Sequence, residues 1–128
     1  MAEMTIKKRP KNLDLTTIKL PLPGKVSILH RVSGAGLFIC LPVILWLFSA
    51  SLSSAETYAT FKSVFASLPV KVVLAGLIWA YLHHFCAGVR FLLLDLHIGI
   101  DKETANKSAV GVLAVSIPLT LIFWGARL

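Results

Sequence analysis

Three stretches of this chain carry no charged residue: Val32 to Ala55, Val72 to Val89, and Ser108 to Ala126. A helix rising 1.5 Å per residue needs roughly 20 apolar residues to cross a bilayer core about 30 Å thick. The pattern therefore predicts three membrane-crossing helices, near 29–53, 68–96 and 106–127. Pro42 and Pro118 fall inside the first and third. Neighbouring helices and local backbone adjustment tolerate proline in a bilayer, so both read as kinks rather than ends. Pro69 stands at the opening of the second helix, where a missing N–H is no loss. The segment Ser53 to Ser67 reads as a polar loop, and Gly99 to Asn106 as a short, tight one. The fold class is an all-α integral membrane protein.

Composition sharpens this picture. The chain has 128 residues, 56% of them apolar and only 15% charged, where soluble domains carry roughly a quarter charged. The net charge of +7 would suggest a nucleic-acid binder if it were evenly spread, but seven of the thirteen basic residues lie in the first 31 positions. Residues 1–28 thus form a basic cytoplasmic head, and the partner surface is lipid, not nucleic acid.

Loop charge sets the orientation. With the N-terminus inside, the inner side collects Lys7, Lys8, Arg9, Lys11, Lys19, Lys25, Arg31, Arg90, Lys102 and Lys107, against Lys62, Lys71 and Arg127 outside. Ten against three puts the N-terminus in and the C-terminus out. The first apolar run is too long, and its leader too extended, for a cleaved signal sequence. Glu3 and Asp14 argue against a transit peptide. A bacterial inner membrane is the simplest compartment.

Cys40 and Cys86 both fall within spans and match no disulfide or zinc spacing. No phosphate loop, dinucleotide fingerprint or nucleophile elbow is present. Self-contained hydrolytic chemistry is excluded. A transporter or channel subunit is disfavoured too, because no Asp or Glu sits at mid-membrane to couple ions.

Ionisable residues inside a membrane are costly and mark functional sites by default. Two groups stand out. The first is S-I-L-H-R-V-S-G, Ser27 to Gly34. Ser27 and Arg31 are four apart and share a helix face, so hydroxyl and guanidinium can both donate to one carbonyl oxygen. His30 projects about 100° away from Arg31. The plain alternative is a cation cluster with Arg31 snorkelling to lipid phosphates.

The second group is H-H-F-C-A-G-V-R-F-L-L-L-D, His83 to Asp95. His84, Gly88, Phe91 and Asp95 fall on one stripe. A histidine one turn from a glycine suits a flat macrocycle, with imidazole as axial ligand and no Cβ to hold the ring away. The plain alternative is a histidine hydrogen-bonded between helices. Adjacent His83 and His84 diverge by about 100° and cannot sandwich one iron. A second ligand would come from His30, His97 or another chain. Arg90 and Asp95 lie near the inner surface, within reach of water or of each other. With His30, Arg31, His84, Arg90 and Asp95 turned inward, three helices leave more polar groups than they can pair, so the chain needs a partner.

At these residues the chain resembles the cytochrome b membrane-anchor subunit of succinate dehydrogenase (succinate:ubiquinone oxidoreductase, respiratory complex II) of proteobacterial type. The resemblance rests on R-P-K-N-L-D-L at Arg9 to Leu15, on S-I-L-H-R-V-S-G, and on H-F-C-A-G-V-R-F-L-L-L-D. It spans residues 9 to about 100, and the third helix matches only in character. His83, Leu94 and His97 depart from the family pattern.

The resemblance implies half of a two-subunit, haem-binding helical bundle. Its other half is a second three-helix anchor, and an iron–sulfur subunit and a flavoprotein subunit dock on the inner face. Succinate is oxidised in the flavoprotein, and electrons pass through iron–sulfur clusters to ubiquinone. By the same resemblance His84 ligates the iron of a haem b shared with the partner anchor, and Ser27 and Arg31 line the quinone site. His30 and Arg31 lie by the haem propionates. Arg90 and Asp95 are candidates for support at the inner end. The alternatives are a quinol:fumarate reductase anchor, running electrons the other way, and a non-haem scaffold whose histidines only join helices.

Overall fold

The computed structural model describes residue 14 and residues 17–127. Most of the basic head therefore lies outside the described residues. All regular structure among the described residues is helical: α1 (Leu22–Ser53), α2 (Ala55–Ala66), α3 (Leu68–Asp95) and α4 (Lys102–Arg127). Helices α1, α3 and α4 are each long and apolar enough to cross a membrane. This is a multi-pass membrane architecture.

Two helix starts differ from the sequence expectation. Helix α1 begins at Leu22 rather than near 29, with Pro21 at the N-cap and Pro23 in the first turn, where proline is preorganised. Helix α4 begins at Lys102 rather than near 106, so the connection from α3 to α4 is shorter than Gly99 to Asn106. Both α1 and α4 run on through their internal prolines, Pro42 and Pro118.

The supposed polar loop Ser53 to Ser67 is a helix. Ser54 caps α2 reciprocally: its Oγ accepts from the Thr57 amide at 3.1 Å, and Thr57 Oγ1 accepts from the Ser54 amide at 3.0 Å. This capping box satisfies two first-turn donors. Behind it, Phe61 and Phe65 stack at 4.0 Å and help line a wholly apolar cavity of about 930 Å³ with α1 and α3.

The turn after α3 closes in a Schellman arrangement. Ile98 N–H donates to the Leu93 carbonyl at 3.0 Å and His97 N–H to the Leu94 carbonyl at 2.9 Å. His97 takes φ 61°, the left-handed conformation that glycine usually fills. His97 therefore marks where α3 stops, and it points away from the helix bundle's interior in an exposed turn.

Asp101 starts α4 by accepting from the Thr104 amide at 2.9 Å. The Thr104 hydrogen bonds hold its carboxyl below the ordinary range. A carboxylate lowered in the folded state stabilises above its unfolded pKa and loses that contribution as pH falls through the folded one. Protection of the first-turn amides of α4, corrected for the slowing of intrinsic exchange in acid, should accordingly fall on acidification into the carboxylate range. Asp101→Ala should show the lower protection already at neutral pH and little further loss with acid.

Helix α3 is the central element, packed against both α1 and α4. The buried apolar core is small: Val26, Ala87, Ala109 and Val112. Large side chains such as Phe38 (76% exposed) and Trp46 (69%) face outward. So much outward apolar surface is the reverse of a soluble domain and suits lipid or a second bundle.

Candidate functional site

The two polar blocks meet where α1 crosses α3. His30 and His84 stack face to face, centroids 4.1 Å apart and planes within 7°. Phe91, two turns along α3 from His84, tilts against His30 at 5.1 Å. His84 Nδ1 lies 3.0 Å from the backbone carbonyl of His30. A carbonyl only accepts, so Nδ1 carries the proton and donates, leaving the lone pair on Nε2. The Ser33 hydroxyl donates to the same carbonyl at 2.9 Å and sits 3.4 Å from His84 Nδ1.

This close approach depends on Gly34. A Cβ there would come within 2.7 Å of His84 Cε1. The sequence pattern offers Gly88 for a different task, room for a macrocycle; in the structure Gly88 lies beneath His30, where a Cβ would make an ordinary 3.5 Å contact with Nε2. The glycine that His84 requires is on the facing helix.

The stacked pair cannot offer two axial ligands to one flat ring. Opposed ligands must present nitrogens from its two faces, and imidazoles stacked at 4.1 Å leave no room for a ring between them. His97 is in the exposed turn beyond α3. Among the described residues no cluster of three or more His, Cys, Asp or Glu is disposed to hold a metal ion.

His83 turns the other way. It is fully buried beside Trp79, with ring centroids at 5.2 Å. Both its ring nitrogens, together with Trp79 Nε1 and the buried Ser116 Oγ, have no hydrogen-bond partner among the described residues.

Arg31 and Asp95 correct the expectation that all the ionisable groups turn inward. Both are exposed. Arg31 folds back on its own helix, with Nε 3.4 Å from the Ser27 carbonyl and Nη2 3.5 Å from Ser27 Oγ. Ser27 and Arg31 are thus adjacent on one outward face. Arg90 makes no ion pair with Asp95. It is buried in the α3/α4 seam, donating from Nε to Ser108 Oγ at 2.9 Å and from Nη2 to the Ala105 carbonyl at 3.1 Å. Sequence reasoning missed Ser108 and Gly34, because neither shows its role without the helix crossing.

The chain is similar to known proteins over most of its length. The family model for the succinate dehydrogenase/fumarate reductase transmembrane subunit matches residues 5–123. The chain is 31% identical over 122 residues to the succinate dehydrogenase cytochrome b556 subunit of Paracoccus denitrificans, covering 95% of this chain and 94% of the relative. It is 36% identical over 110 residues to the protein of that name from Coxiella burnetii, covering 85% and 88%. With the protein of that name from Rickettsia felis it shares 30% identity over 117 residues, 91% of each chain. With three membrane-length helices and a match over nearly its whole length, the chain belongs to the succinate dehydrogenase/fumarate reductase transmembrane subunit family.

Proposed function

We propose that this chain is the haem b- and ubiquinone-binding membrane anchor of a succinate dehydrogenase. It lies in a bacterial inner membrane with its N-terminus cytoplasmic and its C-terminus periplasmic. Its partners are a second three-helix anchor, an iron–sulfur subunit and a flavoprotein subunit that oxidises succinate. The direction, succinate oxidation rather than fumarate reduction, follows the names of the relatives.

One observation carries the reading: His84 Nδ1 lies 3.0 Å from the His30 carbonyl, which can only accept, so Nδ1–H donates there and Nε2 is the nitrogen left to bind a metal. Metal-ligating histidines characteristically donate their other ring N–H to a carbonyl or carboxylate, which sets tautomer and orientation. The Gly34 cradle holds the ring in that pose. These features fit an axial ligand to haem b, which supplies a one-electron redox store when bound. His83 lacks such access, because it is fully buried. The opposite ligand then belongs to the partner anchor, since His30 stacks on His84 rather than facing it. His30 and Arg31, on the neighbouring turn of α1, are placed to meet the propionates. Ser27 and Arg31 present a hydroxyl and a permanent cation on an outward face, suited to a quinone carbonyl oxygen bound against the iron–sulfur subunit.

The test is to isolate the complex from native membranes through a tag on this chain. Co-purified flavoprotein and iron–sulfur subunits, a low-spin b-type spectrum on reduction and succinate-driven ubiquinone reduction are the expected result. A complex without haem overturns the assignment of His84. The chain expressed by itself should give no monodisperse, haem-loaded monomer in detergent, as size-exclusion chromatography with absorbance at the haem band would show. A stable haem-loaded monomer would contradict the shared site.

A further inference from the structure

Among the described residues, the cation held in the α3/α4 seam pairs with no anion. Arg90 is 6% exposed, and its two hydrogen bonds go to neutral oxygens, Ser108 Oγ and the Ala105 carbonyl. Among the described residues the salt bridge found is Lys107 to Glu103, on the surface of α4. Asp95, the acid nearest in sequence, is exposed. Two neutral acceptors solvate the guanidinium without cancelling its charge, and arginine does not shed its proton. An unpaired buried charge is destabilising by itself.

The location suggests what offsets that cost. The guanidinium carbon stands 5.4 Å from the centroid of Phe91. Phe91 abuts His30 at 5.1 Å, and His30 stacks on His84 at 4.1 Å. Among the described residues no aromatic or histidine ring of α4 touches this group. Arg90, held by α4, connects that helix to the histidine pair through Phe91.

We infer that Arg90 is a positioning residue whose uncompensated charge makes the redox group at His84 easier to reduce. The inference rests on the proposed haem ligation. Reduction adds an electron, and a nearby buried cation favours the reduced form. Arg90 lies six residues from His84, about 9 Å along the helix. At an effective dielectric constant near 20, a unit charge at such a distance is worth on the order of tenfold in the ratio of reduced to oxidised forms. For a one-electron couple tenfold corresponds to about 59 mV.

The experiment is a redox titration of the haem absorbance in the purified complex. Arg90→Gln should lower the midpoint potential by about that much, and Arg90→Lys should lie close to the parent. A second pair leaves Arg90 in place. Ser108→Asp sets a carboxylate beside the guanidinium and should lower the potential, whereas Ser108→Asn, of the same size but neutral, should not. The Ser108 pair decides the matter if Arg90→Gln fails to assemble. Equal potentials in the two Ser108 variants, or Arg90→Lys falling as far as Arg90→Gln, overturn the inference. A parent complex without a low-spin haem spectrum instead overturns the ligation on which it rests.

Discussion

His84→Leu should abolish the low-spin haem spectrum of the assembled complex, and Gly34→Ala should weaken haem retention by a related route. Leucine removes the imidazole whose Nδ1 is held by the His30 carbonyl and which is not fully buried. The alanine methyl would stand 2.7 Å from His84 Cε1, against a ring that α3 and the His30 face already confine. The ring must tilt and give up its bond to the His30 carbonyl. Losing an outer-shell partner of a metal ligand typically costs about 10–100-fold in affinity, and that is the size expected for Gly34→Ala. His83→Leu is the control. It replaces two unpartnered buried nitrogens with an apolar side chain, so haem content should stay near the parent level and stability should not fall. The measurement is haem per complex, with reduced-minus-oxidised spectra for spin state. A low-spin spectrum that survives in His84→Leu and is lost in His83→Leu would transfer the ligand role to His83.

The features legible from sequence were those that depend on one helix at a time. Uncharged runs gave the three long helices, and a four-residue spacing put Ser27 beside Arg31. Features that depend on two helices were not legible. Gly34 looks like an ordinary membrane glycine until α3 brings His84 against it. Arg90 looked like a surface cation, since nothing in the α3 sequence announces that Ser108 and the Ala105 carbonyl of α4 will receive it. Helix α2 was hidden by its own cap. Ser54 and Thr57 are residue types that favour turns, and the usual acidic partner of a capping box is replaced by threonine. His97, which departs from the family pattern, ends α3 in the left-handed region, a backbone role that its place in the sequence does not announce.

Ser27→Ala and Arg31→Leu should assemble and oxidise succinate with an artificial dye at parental rates, yet lose at least about tenfold in ubiquinone reduction. A quinone takes up two electrons and two protons, and negative charge develops on its oxygens as electrons arrive. Donors already aimed at that oxygen stabilise the charge without reorganising, and they are most effective in a site shielded from water. Arg31 is suited to this because it is permanently charged and loosely held. Its contacts to Ser27, at 3.4 and 3.5 Å, are at the long limit of hydrogen bonding, so little is lost when it turns to a better acceptor. The Ser27 hydroxyl supplies the second donor and a proton-conducting group. Removing one such donor from well-studied oxyanion sites costs about 10²–10³ in rate. A smaller loss is expected here, because both side chains stand on the outward face of α1 and depend on docked subunits to exclude water. The dye assay separates the two outcomes, since it bypasses the membrane site and reports intact peripheral subunits. Parental ubiquinone reduction by both variants would place the quinone elsewhere and leave Ser27 and Arg31 facing haem propionates or lipid phosphates.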